Sequence, residues 1–326
     1  MGNERNPEPD ELVAAADSAE AGPPVVAVVG ATATGKSQLA IELAGPVGGE
    51  VVNADSMQLY RGMDIGTAKV PVSARCGVPH HLLDVWSVAE RANVAEYQRL
   101  ARAAIQDVAG RGALPIVVGG SGLYVRAVLD RMAFPGHDPD VRARWEAALA
   151  EVGPEALHAK LAARDPDAAA QILPRNGRRI VRALEVIELT GGPFVAELPA
   201  PVRQGPTLVI GLQRDRHELD EALATRVHDM FDAGLVGEAR DLAGLAGSPT
   251  ASRALGYRQA LAHLAGEYDE PTARQETIRG TRAFARRQQA WFRRDTAIKW
   301  LDATDPDLSS YAQRLVERFR RSHQSA

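Results

Sequence analysis

The sequence predicts an α/β fold: a parallel sheet flanked by helices, carrying an all-helical insertion. Three observations lead there. Pro24-Val25-Val26-Ala27-Val28-Val29 is an apolar run that reads as a buried strand. Gly30-Ala31-Thr32-Ala33-Thr34-Gly35-Lys36-Ser37 follows at once and matches the phosphate-cradling pattern G-x-x-x-x-G-K-[ST]. Beyond it, strand-like and helix-like segments alternate to about Met132, as they do when helices cover both faces of a parallel sheet.

The strand–loop–helix context makes the glycine loop a P-loop, and the core P-loop NTPase-like. Glycines let backbone N–H groups turn toward an anion, and the start of the next helix, Gln38 to Ala44, adds a favourable dipole. Lys36 is placed to neutralise the outer phosphates, and Ser37 to ligate Mg²⁺. The loop specifies a diphosphate or triphosphate without saying which molecule carries it.

Further along, Glu50 to Asp55 reads as a second strand, Asn93 to Gly110 as a helix and Leu114 to Gly120 as another buried strand. Ligands of such sheets sit beyond the carboxyl ends of the strands, so the residues ending these strands carry weight. From about Ala133 to Pro201 the texture changes. Asp140–Val152, Pro154–Arg164, Pro166–Leu173 and Gly177–Leu189 read as helices, and a Pro/Gly-rich stretch closes the block. Thr207 to Leu212 returns to the sheet, and Ala297 to Leu301 reads as a last strand. The expected organisation is an acidic tail over 1–24, a core over 25–132, an insertion over 133–201, and a return to the core with C-terminal helices over 202–326.

Composition sets outer bounds. The chain has 326 residues, 45% hydrophobic and 25% charged, which is ordinary for a globular protein. Its one cysteine, Cys76, allows no internal disulfide and fits a reducing, cytoplasmic setting. Met1 to Gly22 holds six acids against Arg5 and reads as a disordered tail rather than a signal peptide. No stretch is apolar enough to span a membrane.

Asp55 ends the second strand and points toward the phosphate loop. It could bind Mg²⁺, hold a ribose, act as a base or simply cap a helix. Val118-Gly119-Gly120-Ser121 ends another strand where phosphate-loop NTPases generally carry an acid. Two glycines and a hydroxyl stand there instead, and the rival acid, Asp84, follows a weak apolar run. The pair His80-His81 reads as packed or surface imidazoles rather than a zinc site. Arginines cluster at Arg178-Arg179-Ile180-Val181-Arg182, at Arg253 to Arg258, and from Arg279 to Arg294, where no acid intervenes. Arg279, Arg282, Arg286 and Arg293 fall on one helical face near Trp291 and Phe292, a pattern suited to an RNA backbone and unstacked bases. Two enzymatic readings compete: a phosphate-loop kinase acting on a small molecule, and a transferase holding the diphosphate of a non-nucleotide donor with RNA as acceptor. A nucleotide-switched RNA-binding protein would need a guanine-reading motif such as N-K-x-D, which is not found.

From about Val25 to Leu301 the chain resembles the bacterial tRNA dimethylallyltransferases, the tRNA isopentenyl transferase family. The resemblance rests on the phosphate loop and on Asp55-Ser56-Met57-Gln58, Met63-Asp64-Ile65-Gly66-Thr67-Ala68-Lys69, Val118 to Tyr124, Arg182-Ala183-Leu184-Glu185, Gly256-Tyr257-Arg258 and Arg286-Arg287-Gln288. It implies Mg²⁺-dependent transfer of a dimethylallyl group from dimethylallyl diphosphate to N6 of adenosine 37 of tRNA; a monomer is the plain expectation. It implies that Asp55 is the general base, that Arg226 contacts the diphosphate, and that Ser121 stands where the family usually has threonine. Residues 30–37 would hold diphosphate rather than ATP. For the anticodon stem-loop, the resemblance implies contacts from Asp55, Ser56, Met57, Gln58, Ser121, Arg142, Arg178, Arg179, Ile180, Val181 and Arg182, and from Arg253, Gly256, Tyr257, Arg258, Arg286, Arg287, Gln288, Trp291 and Arg293. The insertion would clamp that stem-loop.

Overall fold

Strand β1 (Val25–Gly30) is buried along its whole length, and its side chains alternate between two cores. Val26 and Val28 join one apolar cluster, Val25, Ala27 and Val29 the other. A strand buried on both faces is the mark of a parallel sheet covered by helices. A computed structural model describes residues 22–195, 198 and 200–323, so nearly all of the acidic tail lies outside the described residues. Two compact units emerge, one running through Arg131 and resuming at Val202, the other Met132–Pro201.

In the first unit, β1 is joined by β2 (Gly49–Asn53), β3 (His80–His81), β4 (Leu114–Gly119), β5 (Thr207–Gln213) and β6 (Lys299–Asp302). The order is β3-β2-β4-β1-β5-β6, with all pairs parallel. The carboxyl ends of β1, β2 and β4 therefore open side by side. Helix α1 (Lys36–Val47) and α2 (Val94–Gly110) cover opposite faces, with Leu39 and Leu43 in one core and Tyr97, Ala101 and Ile105 in the other. Asn93 caps α2 by accepting from the amide of Ala95 at 2.9 Å.

The second expected strand stops two residues short of Asp55, because the Asn53 side chain turns back onto the loop. Its Nδ2 donates to the Asp55 carbonyl at 3.0 Å and to Leu82 O at 2.9 Å. Two elements escaped the sequence reading. The histidine pair forms edge strand β3, where His80 Nδ1 lies 2.8 Å from Val78 O and His81 Nε2 2.6 Å from Glu50 Oε2. The glycine-rich turn after β4 opens helix α3 (Gly122–Leu129).

The second unit is all helix: α4 (Pro139–Arg164), broken at Gly153 (φ 77°), α5 (Pro166–Gln171) and α6 (Gly177–Thr190). The break at Gly153 explains why the sequence reads α4 as two helices. Leu157, Leu161, Ile172, Ile180 and Leu184 form a core of its own. At its base, within the first unit, Arg131 N donates to Val202 O at 2.6 Å and Gln204 N to Leu129 O at 2.9 Å. Buried Asp130 accepts from Arg126 at 2.6 Å and from Arg203. The remaining helices of the first unit are α7 (Arg216–Asp232), α8 (Leu235–Asp241), α9 (Tyr257–Leu264), α10 (Glu270–Phe292) and α11 (Leu308–His323).

Candidate active site

The loop from Gly30 to Ser37 curls over the end of β1. Ala33 (φ 63°) and Gly35 (φ 84°) take the left-handed conformation that turns the chain into α1. The Ala31 carbonyl accepts from Thr34 Oγ1 at 2.9 Å and from Lys36 Nζ at 2.5 Å, which folds the lysine across its own loop. The Thr32 amide is turned to Gln288 Oε1 at 2.9 Å. The expected anion cradle is thereby narrowed, because Thr32 offers its amide to Gln288.

Asp55 sits in a turn rather than at a helix N-terminus. Its Oδ1 accepts from the amide of Met57 at 2.9 Å, and its own amide donates to Asn53 Oδ1 at 2.9 Å. This bond orients the carboxylate. Its negative charge acts on Lys36, Arg226, Tyr97 and Tyr124, so the topology gathers these groups at one end of the sheet. Burial, and then the Arg226 guanidinium, push the Lys36 ammonium down to about 8, while Asp55 pulls the other way. Burial also lowers Arg226, again against the pull of Asp55. Two cations, one close enough to lower the other, facing one carboxylate, form a site suited to a polyanion.

The glycines at the end of β4 and just after it have a packing reason. A Cβ on Gly119 would come within 2.3 Å of the Ala54 carbonyl oxygen, and one on Gly122 within 2.1 Å of the Trp291 ring. The first approach brings the end of β4 against the segment carrying Asp55. Ser121 Oγ then accepts from the Ser56 amide at 3.2 Å and lies 3.3 Å from Ser56 Oγ. Asp84 is committed elsewhere, 2.6 Å from Lys69 Nζ, which also donates to Asp64 Oδ1 at 2.6 Å. Ser37 lies in the first turn of α1 beside Lys36. Among the described residues no group of three or more His, Cys, Asp or Glu could hold a metal ion.

Tyr97 and Tyr124 feel the Asp55 charge and went unassigned in the sequence. Their rings are 4.6 Å apart, and the Tyr97 hydroxyl donates to Asn53 O at 2.9 Å. Tyr97 reads as a core position of an amphipathic helix, so nothing in its spacing marks it. Gln288 was expected at RNA. It is buried and bridges two loops, taking the Thr32 amide and donating to Gly120 O at 2.9 Å. Trp291, expected as a stacking aromatic, lays its ring over Gly122. Tyr257 is fully buried, with its hydroxyl donating to Glu238. Ile180 and Val181 are likewise corrected to core positions, because both are buried within the helical unit.

The arginines divide. Arg253, Arg258, Arg279, Arg286, Arg287 and Arg293 are exposed. Arg279, Arg282 and Arg286 line a groove of about 440 Å³ against Ala224 of α7. Arg279 pairs with Glu276, and Arg282 donates to Asp220 O at 3.1 Å. In the helical unit, Arg178 and Arg179 are exposed on α6. Arg142 and Arg182 instead converge on buried Glu185, at 3.1 and 3.0 Å, with His137 Nδ1 at 2.6 Å.

Comparison with known proteins agrees with this geometry. Residues 58–295 match the family described as IPP transferase. The tRNA dimethylallyltransferase of Salinispora arenicola is 63% identical over 299 residues, covering 91% of this chain and 87% of that one. That of Thermobifida fusca is 60% identical, covering 90% and 94%. The crystal structure of the full-length tRNA isopentenylpyrophosphate transferase of Bacillus halodurans superposes with a TM-score of 0.68 at 38% identity, over 92% of this chain and 98% of that one. A eukaryotic dimethylallyltransferase, described as acting on tRNA, gives 0.76 at 27% identity, over 92% and 78%. The chain belongs to the tRNA dimethylallyltransferase family, the IPP transferases.

Proposed function

We propose that this protein transfers the dimethylallyl group of dimethylallyl diphosphate to N6 of adenosine 37 in tRNA, releasing diphosphate. One observation carries the reading. Asp55, Lys36 and Arg226 are gathered at the end of a parallel sheet whose next strand ends in Gly119-Gly120-Ser121 rather than an acid. An exocyclic amine is a weak nucleophile, and its proton must leave as the C–N bond forms. Asp55, oriented by the Met57 amide, accepts that proton.

As the allylic C–O bond breaks, negative charge grows on the departing diphosphate. Lys36, Arg226 and the amides at the start of α1 stabilise it in place. Ser121 fastens the Asp55–Ser56 turn to the end of β4, which supports the geometry of the base. A Mg²⁺ ion fits these residues. Ser37 offers a hydroxyl beside the phosphate loop, and Mg²⁺ keeps much of its water and takes substrate phosphate oxygens rather than a protein cage. When bound, it neutralises charge on the diphosphate.

The acceptor is the anticodon stem-loop. Its base must be unstacked to reach the carboxylate, and the exposed arginines of α10 and α6 are the groups suited to its backbone. The protein acts as a monomer in the cytoplasm. Among the described residues no helix is long and apolar enough to cross a membrane. Incubation with tRNA, Mg²⁺ and labelled dimethylallyl diphosphate tests the reading. Label in tRNA at the base 3′ of the anticodon supports it. ATP turnover without incorporation overturns it in favour of a kinase.

A further inference from the structure

Glu238 belongs to no motif that marks the site, yet its carboxylate is among the most heavily engaged in the molecule. It accepts from three consecutive backbone amides: Asp64 at 3.1 Å, Ile65 at 2.8 Å and Gly66 at 3.3 Å. The Tyr257 hydroxyl donates to the same group. The fit is close. A Cβ on Gly66 would come within 2.3 Å of the Tyr257 ring, so the glycine lets the loop lie flat on the tyrosine. Burial, and then the bond to Glu238, raise the Tyr257 hydroxyl far above its usual range, which keeps it protonated and donating.

The loop so held ends at Thr67, whose carbonyl points into the active site. It accepts from Arg226 Nη2 at 3.5 Å and from Gln58 Nε2 at 3.1 Å. Lys69 fixes the far side of the loop through Asp64 and Asp84. A chain of contacts therefore runs from Tyr257 through Glu238 and the 64–66 amides to Thr67, and from there to the guanidinium facing Asp55 and Lys36. A carboxylate accepting several amides holds a loop more rigidly than apolar packing alone, because each charge-assisted bond is directional.

We propose that Glu238, held by Tyr257, is a positioning residue for transfer, fixing the Thr67 carbonyl so that Arg226 is aimed at the diphosphate of the donor. This rests on the reading of Arg226 as a diphosphate contact. Glutamine keeps the shape of Glu238 but replaces one acceptor oxygen with a donor that opposes the loop amides.

The experiment compares Glu238→Gln, Tyr257→Phe, Arg226→Ala and the Glu238→Gln/Arg226→Ala double variant in the full chain. KM is measured separately for dimethylallyl diphosphate and for tRNA, with thermal midpoints alongside. Glu238→Gln is expected to raise the donor KM about tenfold and leave the tRNA KM within about twofold. Tyr257→Phe, which keeps the ring on Gly66, moves the same parameter in the same direction by less. In the Arg226→Ala background, Glu238→Gln adds little further loss, because both act through one group. Additive losses in the double variant overturn the inference, as does an equal rise in both KM values. An unchanged donor KM in Glu238→Gln, with Arg226→Ala raising it, overturns this inference alone. An unchanged donor KM in Arg226→Ala overturns the Arg226 reading itself.

Discussion

Two carboxylates, one in each unit, face two cations apiece, and they do opposite things. Glu185 in the helical unit is fully buried and bonded to Arg142, Arg182 and His137. Burial alone would raise its carboxyl, but the bonds from Arg182 and His137 bring it below the usual range. Asp55 in the sheet unit is half-buried and feels Lys36 and Arg226 through space, while its carboxylate accepts from the Met57 amide and its own amide donates to Asn53 Oδ1. The first arrangement is closed, with its charges satisfied by one another. The second is open, with excess positive charge left to meet an anion. Residue types alone do not separate a structural knot from a reactive site; burial and direct bonding do.

Substitutions at these carboxylates test the contrast. Asp55→Ala is expected to lower the transfer rate by about 10³-fold, the range of a lost general base, while tRNA affinity holds. Single-turnover rates and filter binding check it, and near-normal turnover would remove Asp55 from the base role. Glu185→Gln should act on stability instead, by about 3 kcal/mol, because it removes a fully buried carboxylate from two partly buried arginines. Urea unfolding together with proteolysis between Met132 and Pro201 reads this out. Loss of donor affinity at unchanged stability would erase the distinction between the two sites.

The pH dependence adds a finer cut. Lys36 binds the donor as an ammonium, and its value is lowered to about 8 in the free protein. Donor kcat/KM should therefore fall about tenfold per pH unit above roughly pH 8, and Lys36→Arg should remove that limb because guanidinium stays charged. The sign for stability is the reverse. Between about pH 8 and 10.5 the unfolded chain binds more protons at this site than the folded one, so this lysine's contribution to stability rises with pH. A kcat/KM profile flat to pH 10 would sink the assignment. The smallest effect is expected at the exposed arginines of α10. Arg286→Ala should weaken tRNA about threefold and reduce the salt slope by about one, with donor KM unchanged. An unchanged salt slope would take Arg286 out of the interface.

The difference between α10 and α6 also shows why the arginine clusters were only half legible. Arg279 and Arg286 on α10, and Arg293 just past its end, are exposed, where a helical stripe places them. On α6, Arg182 belongs to the same short run as Arg178 and Arg179, yet its guanidinium turns inward to Glu185 and to the carbonyls of Pro135 and Gly136. Three residues around a helix turn a side chain by most of a revolution, and here the inward turn is fixed by Glu185 on the same helix together with the distant Pro135 and Gly136 carbonyls. The same holds for Gln288, part of a recognisable triplet with Arg286 and Arg287. Its burial against Thr32 and Gly120 follows from α10 lying across the ends of β1 and β4.

The phosphate loop, the alternation of strands and helices, the helices of the insertion and the strand that leads toward Asp55 were legible in the residues alone. These follow from local rules: the periodicity of burial, the left-handed turns of a glycine loop and the places where proline and glycine break a helix. Which charges share one space follows from how the elements pack. Lys36 and Asp55 meet because β1 and β2 end on either side of β4, and Arg226, far along the chain, joins them because α7 brings it to the Thr67 carbonyl. Glu238, with no motif to announce it, owes its partners to the packing of Tyr257 on Gly66. Coulomb attraction and hydrogen bonding act over a few ångströms, and sequence spacing does not fix distances of that kind between residues more than a hundred positions apart.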